Sequence, residues 1–174
     1  MNKKCIMIAC AFFVAVALQA KVSLPAFFSD GMVMQQQSQA SLWGKASKGK
    51  IVEVTTGWDG QTYTTRADEQ GKWKLTVQTP AAGGPYDITF DDGERTRIKD
   101  ILMGELWICS GQSNMEMPMK GFKNQPVEDA NMDVLRSRNS QIRLFTVKRN
   151  SQFAPVDDVT GCWNHAEPKT VREF

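Results

Sequence analysis

Lys72-Trp73-Lys74-Leu75-Thr76-Val77 decides the fold of the front of this chain. Trp73, Leu75 and Val77 alternate with Lys72, Lys74 and Thr76. A period of two fits a half-buried strand and no helix. The same reading extends outward. Ile51-Val52-Glu53-Val54 is a second run, and Tyr86, Ile88 and Phe90 alternate with Asp87 and Thr89. Asp30-Gly31, Asp59-Gly60, Gln70-Gly71 and Asp92-Gly93 lie between the runs, where tight turns call for positive φ. Pro80 and Gly83-Gly84-Pro85 mark a longer loop. No useful helical period appears. Short strands at this spacing predict an all-β sandwich, immunoglobulin-like or jelly-roll, over residues 21–100. Trp43, Trp58, Trp73 and Tyr63 read as core residues of this sandwich.

Residues 1–20 carry a different signal. Lys3 and Lys4 precede an uncharged apolar stretch from Ile6 to Leu18, and Ala20 ends a small-residue site. That pattern predicts a secretory signal peptide, too short for a membrane-spanning helix, and a secreted or periplasmic protein. A retained N-terminal anchor is the alternative. The chain has 21 basic and 19 acidic residues, and without Lys3 and Lys4 the two kinds balance. A balanced chain gives no reason to expect nucleic acid or an anionic membrane as partner. Cys5 and Cys10 fall in the signal. Cys109 and Cys162 remain, open to one bridge in an oxidising compartment, or to the plainer state of two buried thiols. One histidine and two distant cysteines do not make a zinc site.

The pattern changes near residue 101. Leu106-Trp107-Ile108-Cys109 is a continuous apolar run, expected of a strand buried on both faces. Small and polar residues follow, Ser110-Gly111-Gln112-Ser113-Asn114. A helix is expected next, with Asn124 or Gln125 as cap, Pro126 at its first position and Glu128 and Asp129 in its first turn. Arg136 and Arg138 suit its last turn, and Asn139 its end. Gln141 to Val147 is a further strand candidate. Strand, turn, helix and strand open an α/β domain. Residues 101–174 are too few to cover both faces of a parallel sheet, which predicts the front part of a longer domain.

The chemistry concentrates at Ser113. A serine between a buried strand and a helix is placed to attack an ester, and Gly111 lets the backbone turn sharply before it. The Ser113 N–H, at a helix start, is suited to a developing oxyanion. Met115 stands where the Gly-x-Ser-x-Gly elbow would have its second glycine. A plainer reading competes, because Ser113-Asn114-Met115-Glu116 also fits a capping box, in which Ser113 and Glu116 only close a helix end. Gln112 and Asn114 either touch substrate or shape the turn.

Gly104 to Pro118, with Gly111-Gln112-Ser113-Asn114-Met115 at its heart, resembles the nucleophile block of the sialate O-acetylesterase family of SGNH hydrolases. Phe28 to Gln35, Leu42 to Ala46, Gly71-Lys72-Trp73, Ala82 to Tyr86, Trp163 and Pro168 to Val171 resemble further segments of that family in the same order. The resemblance implies a β-sandwich followed by an SGNH α/β domain that removes acetyl groups from sialic acid. It implies Ser113 as nucleophile, a histidine base oriented by an aspartate, and Gly111, Gln112 or Asn114 near the substrate or oxyanion. The family needs no metal or organic cofactor. Its partner is O-acetylated sialic acid or another acetylated glycan. The Gly-Gln-Ser-Asn-Met block is shared with acetylxylan-type esterases, which leaves a plant glycan open. A non-catalytic glycan-binding β-sandwich or an inactive fragment is the remaining alternative. The family's base-bearing block is expected beyond Phe174. His165 does not match it and reads as a surface or loop residue. Asp157 and Asp158 read as a solvated loop pair, and Glu116 as a cap.

Overall fold

A computed structural model describes residues 21–174. The expected signal peptide, residues 1–20, lies outside the described residues. Seven strands build the front of the chain: β1 (Val33–Gln35), β2 (Gln39–Lys45), β3 (Ile51–Thr56), β4 (Thr62–Arg66), β5 (Lys72–Gln78), β6 (Gly83–Asp91) and β7 (Arg95–Gly104). Five form one sheet in the order β1-β7-β6-β3-β4, and β2 pairs with β5 in a second. Neighbours in the larger sheet are antiparallel except β1 and β7, which run parallel. The turns at Gly31, Gly60, Gly71 and Gly93 all take positive φ, as the sequence requires.

The alternation read from the sequence becomes one shared core. Val52 and Val54 of β3, Ile88 and Phe90 of β6, and Ile98, Ile101 and Met103 of β7 are buried with Leu42 of β2 and Trp73 and Val77 of β5. The Trp73 ring lies 5.8 Å from that of Phe90, a contact between the two sheets. Trp43, Trp58 and Tyr63 pack against this core half-buried. Gly44 sits opposite Trp73 on β2. A Cβ there would stand 2.5 Å from the Ser23 carbonyl oxygen and 2.9 Å from Trp73 Cζ2. Gly44→Ala is therefore expected to lower stability by about 1–3 kcal/mol, the cost of overpacking. Urea unfolding of wild type and variant measures it.

Beyond β7 the structure carries α1 (Ser113–Glu116), α2 (Ala130–Arg136), β8 (Asn139–Phe145), β9 (Trp163–Ala166) and α3 (Pro168–Val171). β8 and β9 pair antiparallel. Several expectations are corrected here. Leu106-Trp107-Ile108-Cys109 forms no ladder, and Trp107 and Ile108 are 81% and 90% exposed. A strand buried on both faces needs flanking strands, and none among the described residues pairs with this one. The helix begins at Ala130, not at Pro126. Phe122 and Gln125 close a turn on each other around Asn124, and Asp129 stands in the left-handed region at φ 55°. Asn139 opens β8 instead of ending the helix, so the expected strand arrives two residues early. His165 is at the surface, one of the two expectations for it, and lies on β9. Cys109 and Cys162 are free thiols, and both are exposed instead of buried.

This second region is fastened to the first. A bulge in β7 provides one fastening. Ile98 faces Ile88 while Ile101 faces Tyr86, so β7 spends one more residue than β6 there. Asp100, at φ 57°, falls in this bulge. Bulges re-aim side chains, and both Asp100 carboxylate oxygens accept from Arg143 Nη2 at 3.1 Å. The Arg143 side chain is 3% exposed and that of Asp100 39%. Trp163 Nε1 donates to the Phe27 carbonyl at 2.7 Å. Asp100→Ala would leave a buried guanidinium charge without its carboxylate. Breaking a buried pair this way costs about 3–5 kcal/mol, and partial exposure of Asp100 reduces that to about 1–3 kcal/mol. Chemical denaturation is expected to show this loss, with a smaller one for Asp100→Asn.

Candidate active site

Ser113 is the first residue of the one-turn helix α1. Gln112 precedes it in extended conformation, and the Met115 N–H donates to the Gln112 carbonyl at 2.8 Å. A Cβ on Gly111 would lie 2.7 Å from Met115 Cγ, so the turn closes against the Met115 side chain. The whole stretch from Glu105 to Glu116 is exposed. Among the described residues Ser113 makes no side-chain hydrogen bond, and its backbone N–H has no backbone acceptor.

The capping box does not form. Gln112, not Ser113, holds the cap position, and no side chain caps α1. Glu116 accepts from Arg149 Nη1 at 2.9 Å instead of turning back to the helix start. A guanidinium offers a charge-assisted bond that outcompetes a neutral N–H. Gln112 and Asn114 also make no side-chain hydrogen bond among the described residues. Backbone and Gly111, rather than these side chains, set the turn.

The entry to this segment is clamped by residues that sequence reasoning did not single out. Gln36 Nε2 and Gln35 Nε2 donate to the two Glu105 oxygens at 2.7 and 3.1 Å. The Leu106 N–H donates to Gln35 Oε1 at 2.9 Å. The Gln36 bond first, and the Gln35 bond second, hold the Glu105 carboxyl below its ordinary range. The clamp ties the residue after β7 to the end of β1. The one hint in the sequence was that Gln35 and Glu105 both fall in segments of the family resemblance.

The other candidates lie elsewhere. His165 Nε2 is 3.2 Å from Asp100 Oδ2, in the fastening already described. No contact joins it to Ser113. Asp157 and Asp158 are exposed residues of a loop, as the sequence suggests, and each also has a partner. Asp157 accepts from Lys72 Nζ at 2.6 Å, and Asp158 Oδ1 from the Ala26 N–H at 2.7 Å. Both pin the loop before β9 onto the β region. No group of three or more His, Cys, Asp or Glu suited to a metal occurs among the described residues. No helix there is long and apolar enough to cross a membrane.

No protein-family model matches the chain. A sialate O-acetylesterase of Mus musculus is 28% identical over 144 residues, covering 77% of this chain and 26% of that protein. The chain is similar to sialate O-acetylesterases. The Homo sapiens protein of that name is 29% identical over 143 residues, with 76% and 27% covered. Among solved structures, a carbohydrate acetylesterase from Xanthomonas citri superposes with a TM-score of 0.80 at 32% identity. That match covers 88% of this chain and 34% of the other. The chain thus spans about a quarter of the length of these curated relatives and a third of the solved one.

Proposed function

We propose that this chain belongs to a carbohydrate O-acetylesterase acting on O-acetylated sialic acid, with Ser113 as its nucleophile. The observation that carries the reading is an exposed serine, free of any capping bond, in a chain that superposes over 88% of its length on a carbohydrate acetylesterase. In this reading residues 21–100 are a β-sandwich, and residue 101 begins an SGNH-type α/β domain. The exposed apolar side chains of Trp107 and Ile108 support it, because they suit a strand awaiting neighbours on both faces. Residues 1–20 support export, to the periplasm or outside the cell.

The reaction follows from the position of Ser113. Its Oγ attacks the acetyl carbonyl carbon while its proton passes to a base. The carbonyl oxygen gains the negative charge. The Ser113 N–H, without a backbone acceptor in this structure, is one donor for it. Collapse expels the sugar oxygen, which leaves as a hydroxyl with the proton from the base. Water then attacks the acetyl-serine, releasing acetate and restoring Ser113. The histidine base of the family has no counterpart in contact with Ser113 here, and His165 is occupied by Asp100.

A broader substrate is the second reading. The solved protein from Xanthomonas citri is a carbohydrate acetylesterase, which supports acetylated glycans more broadly as substrates. The test is acetate release by the full-length protein from O-acetylated sialic acid and acetylated xylan, side by side. Faster release from the sialic acid supports the first reading, and from xylan the second. Release from neither, or release that survives Ser113→Ala, overturns the esterase.

A further inference from the structure

A cleft among the described residues lies away from Ser113. It has a volume of about 580 Å³ and lies over the β2–β5 sheet, bordered by the segment Ser23-Leu24-Pro25 and by Asp157 and Asp158. Small-molecule sites usually measure about 300–1,000 Å³. The sheet register sets its chemistry. Lys45 faces Lys72, and Trp43 faces Lys74. With a side-chain period of two, Trp43, Lys45, Lys72 and Lys74 share one face, and all four line the cleft. Like charges directly opposite one another in a sheet are destabilising. Three ammonium groups are nevertheless gathered here on two neighbouring strands.

The chain itself answers one of them. Asp157 Oδ2 lies 2.6 Å from Lys72 Nζ, and the Asp157 carbonyl accepts from Trp43 Nε1 at 3.3 Å. Its hydrogen bond from Lys72, and then the charge of Lys72, hold Asp157 below the ordinary carboxylate range. The remaining acids of the cleft are engaged by backbone N–H groups. Asp68 accepts from Gln70 and Lys72, and Asp158 from Ala26 and Val159. Lys45 and Lys74 have no side-chain partner among the described residues. Below them Trp73 is 3% exposed, and its Nε1 has no acceptor. An unsatisfied buried donor calls for an explanation.

We infer that this cleft binds a sugar bearing a carboxylate, at a site separate from Ser113. The carboxylate sits between Lys45 and Lys74, beside the position Asp157 already occupies on Lys72. Trp43 offers the sugar an apolar edge. The anionic half of the inference stands on the lysine register. The saccharide half rests on the esterase reading above. In this arrangement Asp157 is a competitor, an internal carboxylate on the same ammonium cluster.

The test is calorimetric titration of the full-length protein carrying Ser113→Ala, which measures binding without turnover. The probes are the α-methyl glycoside of N-acetylneuraminic acid and the neutral methyl ester of the same compound. Saturable binding of the acid is expected, with affinity for the ester lower by about tenfold or more, the worth of one charge-assisted bond. Lys45→Met with Lys74→Met should weaken the acid by a similar factor and leave the ester unchanged. Asp157→Asn should tighten the acid, because it frees Lys72. Thermal unfolding checks that each variant is folded. Equal binding of acid and ester, no effect of the lysine changes, or no saturable binding overturns the inference. Acetate release plays no part in these readouts, so a failed esterase assay and a failed titration remain separate results.

Discussion

Ser113→Ala in the full-length protein is expected to cut kcat for acetate release by about 10³-fold or more, with little change in KM. Loss of the nucleophile in a serine hydrolase leaves only the catalysis supplied by binding and the oxyanion donors. The serine hydroxyl makes no bond in the resting structure, so ground-state binding has little to lose. The same variant separates two roles. An N-cap serine replaced by alanine costs about 1 kcal/mol of stability. Ser113 is inside α1 and exposed, with Gln112 at the cap, so its stability is expected to change by less than about 0.5 kcal/mol. Activity assays with thermal unfolding on one preparation measure both. A large loss of stability with activity retained would restore the cap and remove the nucleophile.

Phe90→Ala is expected to give the largest loss of stability of any change considered. Phe90 is fully buried at the middle of the larger sheet, paired with Val54 and in ring contact with Trp73 of the smaller one. Truncating a buried phenylalanine costs about 3–5 kcal/mol, part lost burial and part the cavity left behind. Whole domains have about 5–15 kcal/mol to lose. The variant should therefore unfold at clearly lower temperature or appear partly unfolded at 37 °C. Phe90→Leu, which keeps most of the volume, should lose much less. Equal effects of the two would show that Phe90 does not join the sheets.

What was legible in the sequence was what neighbouring residues decide among themselves. The alternation at Ile51 to Val54, Lys72 to Val77 and Tyr86 to Phe90, with the four Gly turns, gave β3, β5 and most of β6. Gly83-Gly84-Pro85, expected as a loop, opens β6, and β1, β2, β4 and β7 were not marked by such runs. What was not legible depended on residues far away in the chain. Leu106 to Cys109 has the composition of a buried strand, yet composition cannot supply the strands that would bury it. Ser113 to Glu116 has the letters of a capping box, but Arg149, 33 positions on, takes the glutamate. Asp157 is the loop aspartate the sequence suggests, but nothing near it in sequence shows its partner Lys72, 85 positions back. The candidate nucleophile stood out only through its whole segment and the likeness to known esterases. Its immediate pattern favoured the cap.

The parallel pairing of β1 with β7 also sets an order in time. Val33 finds its partner Leu102 only after 69 further residues have been made. At about 5–20 residues per second, β1 waits roughly 3–14 seconds for β7. During that wait β1 has no partner in the sheet, and unpaired strands recruit other chains. The Gln35 and Gln36 clamp on Glu105 closes on the residue that follows β7. It can form only once that wait is over, so the start of the segment carrying Ser113 is fastened last, as the sheet is completed.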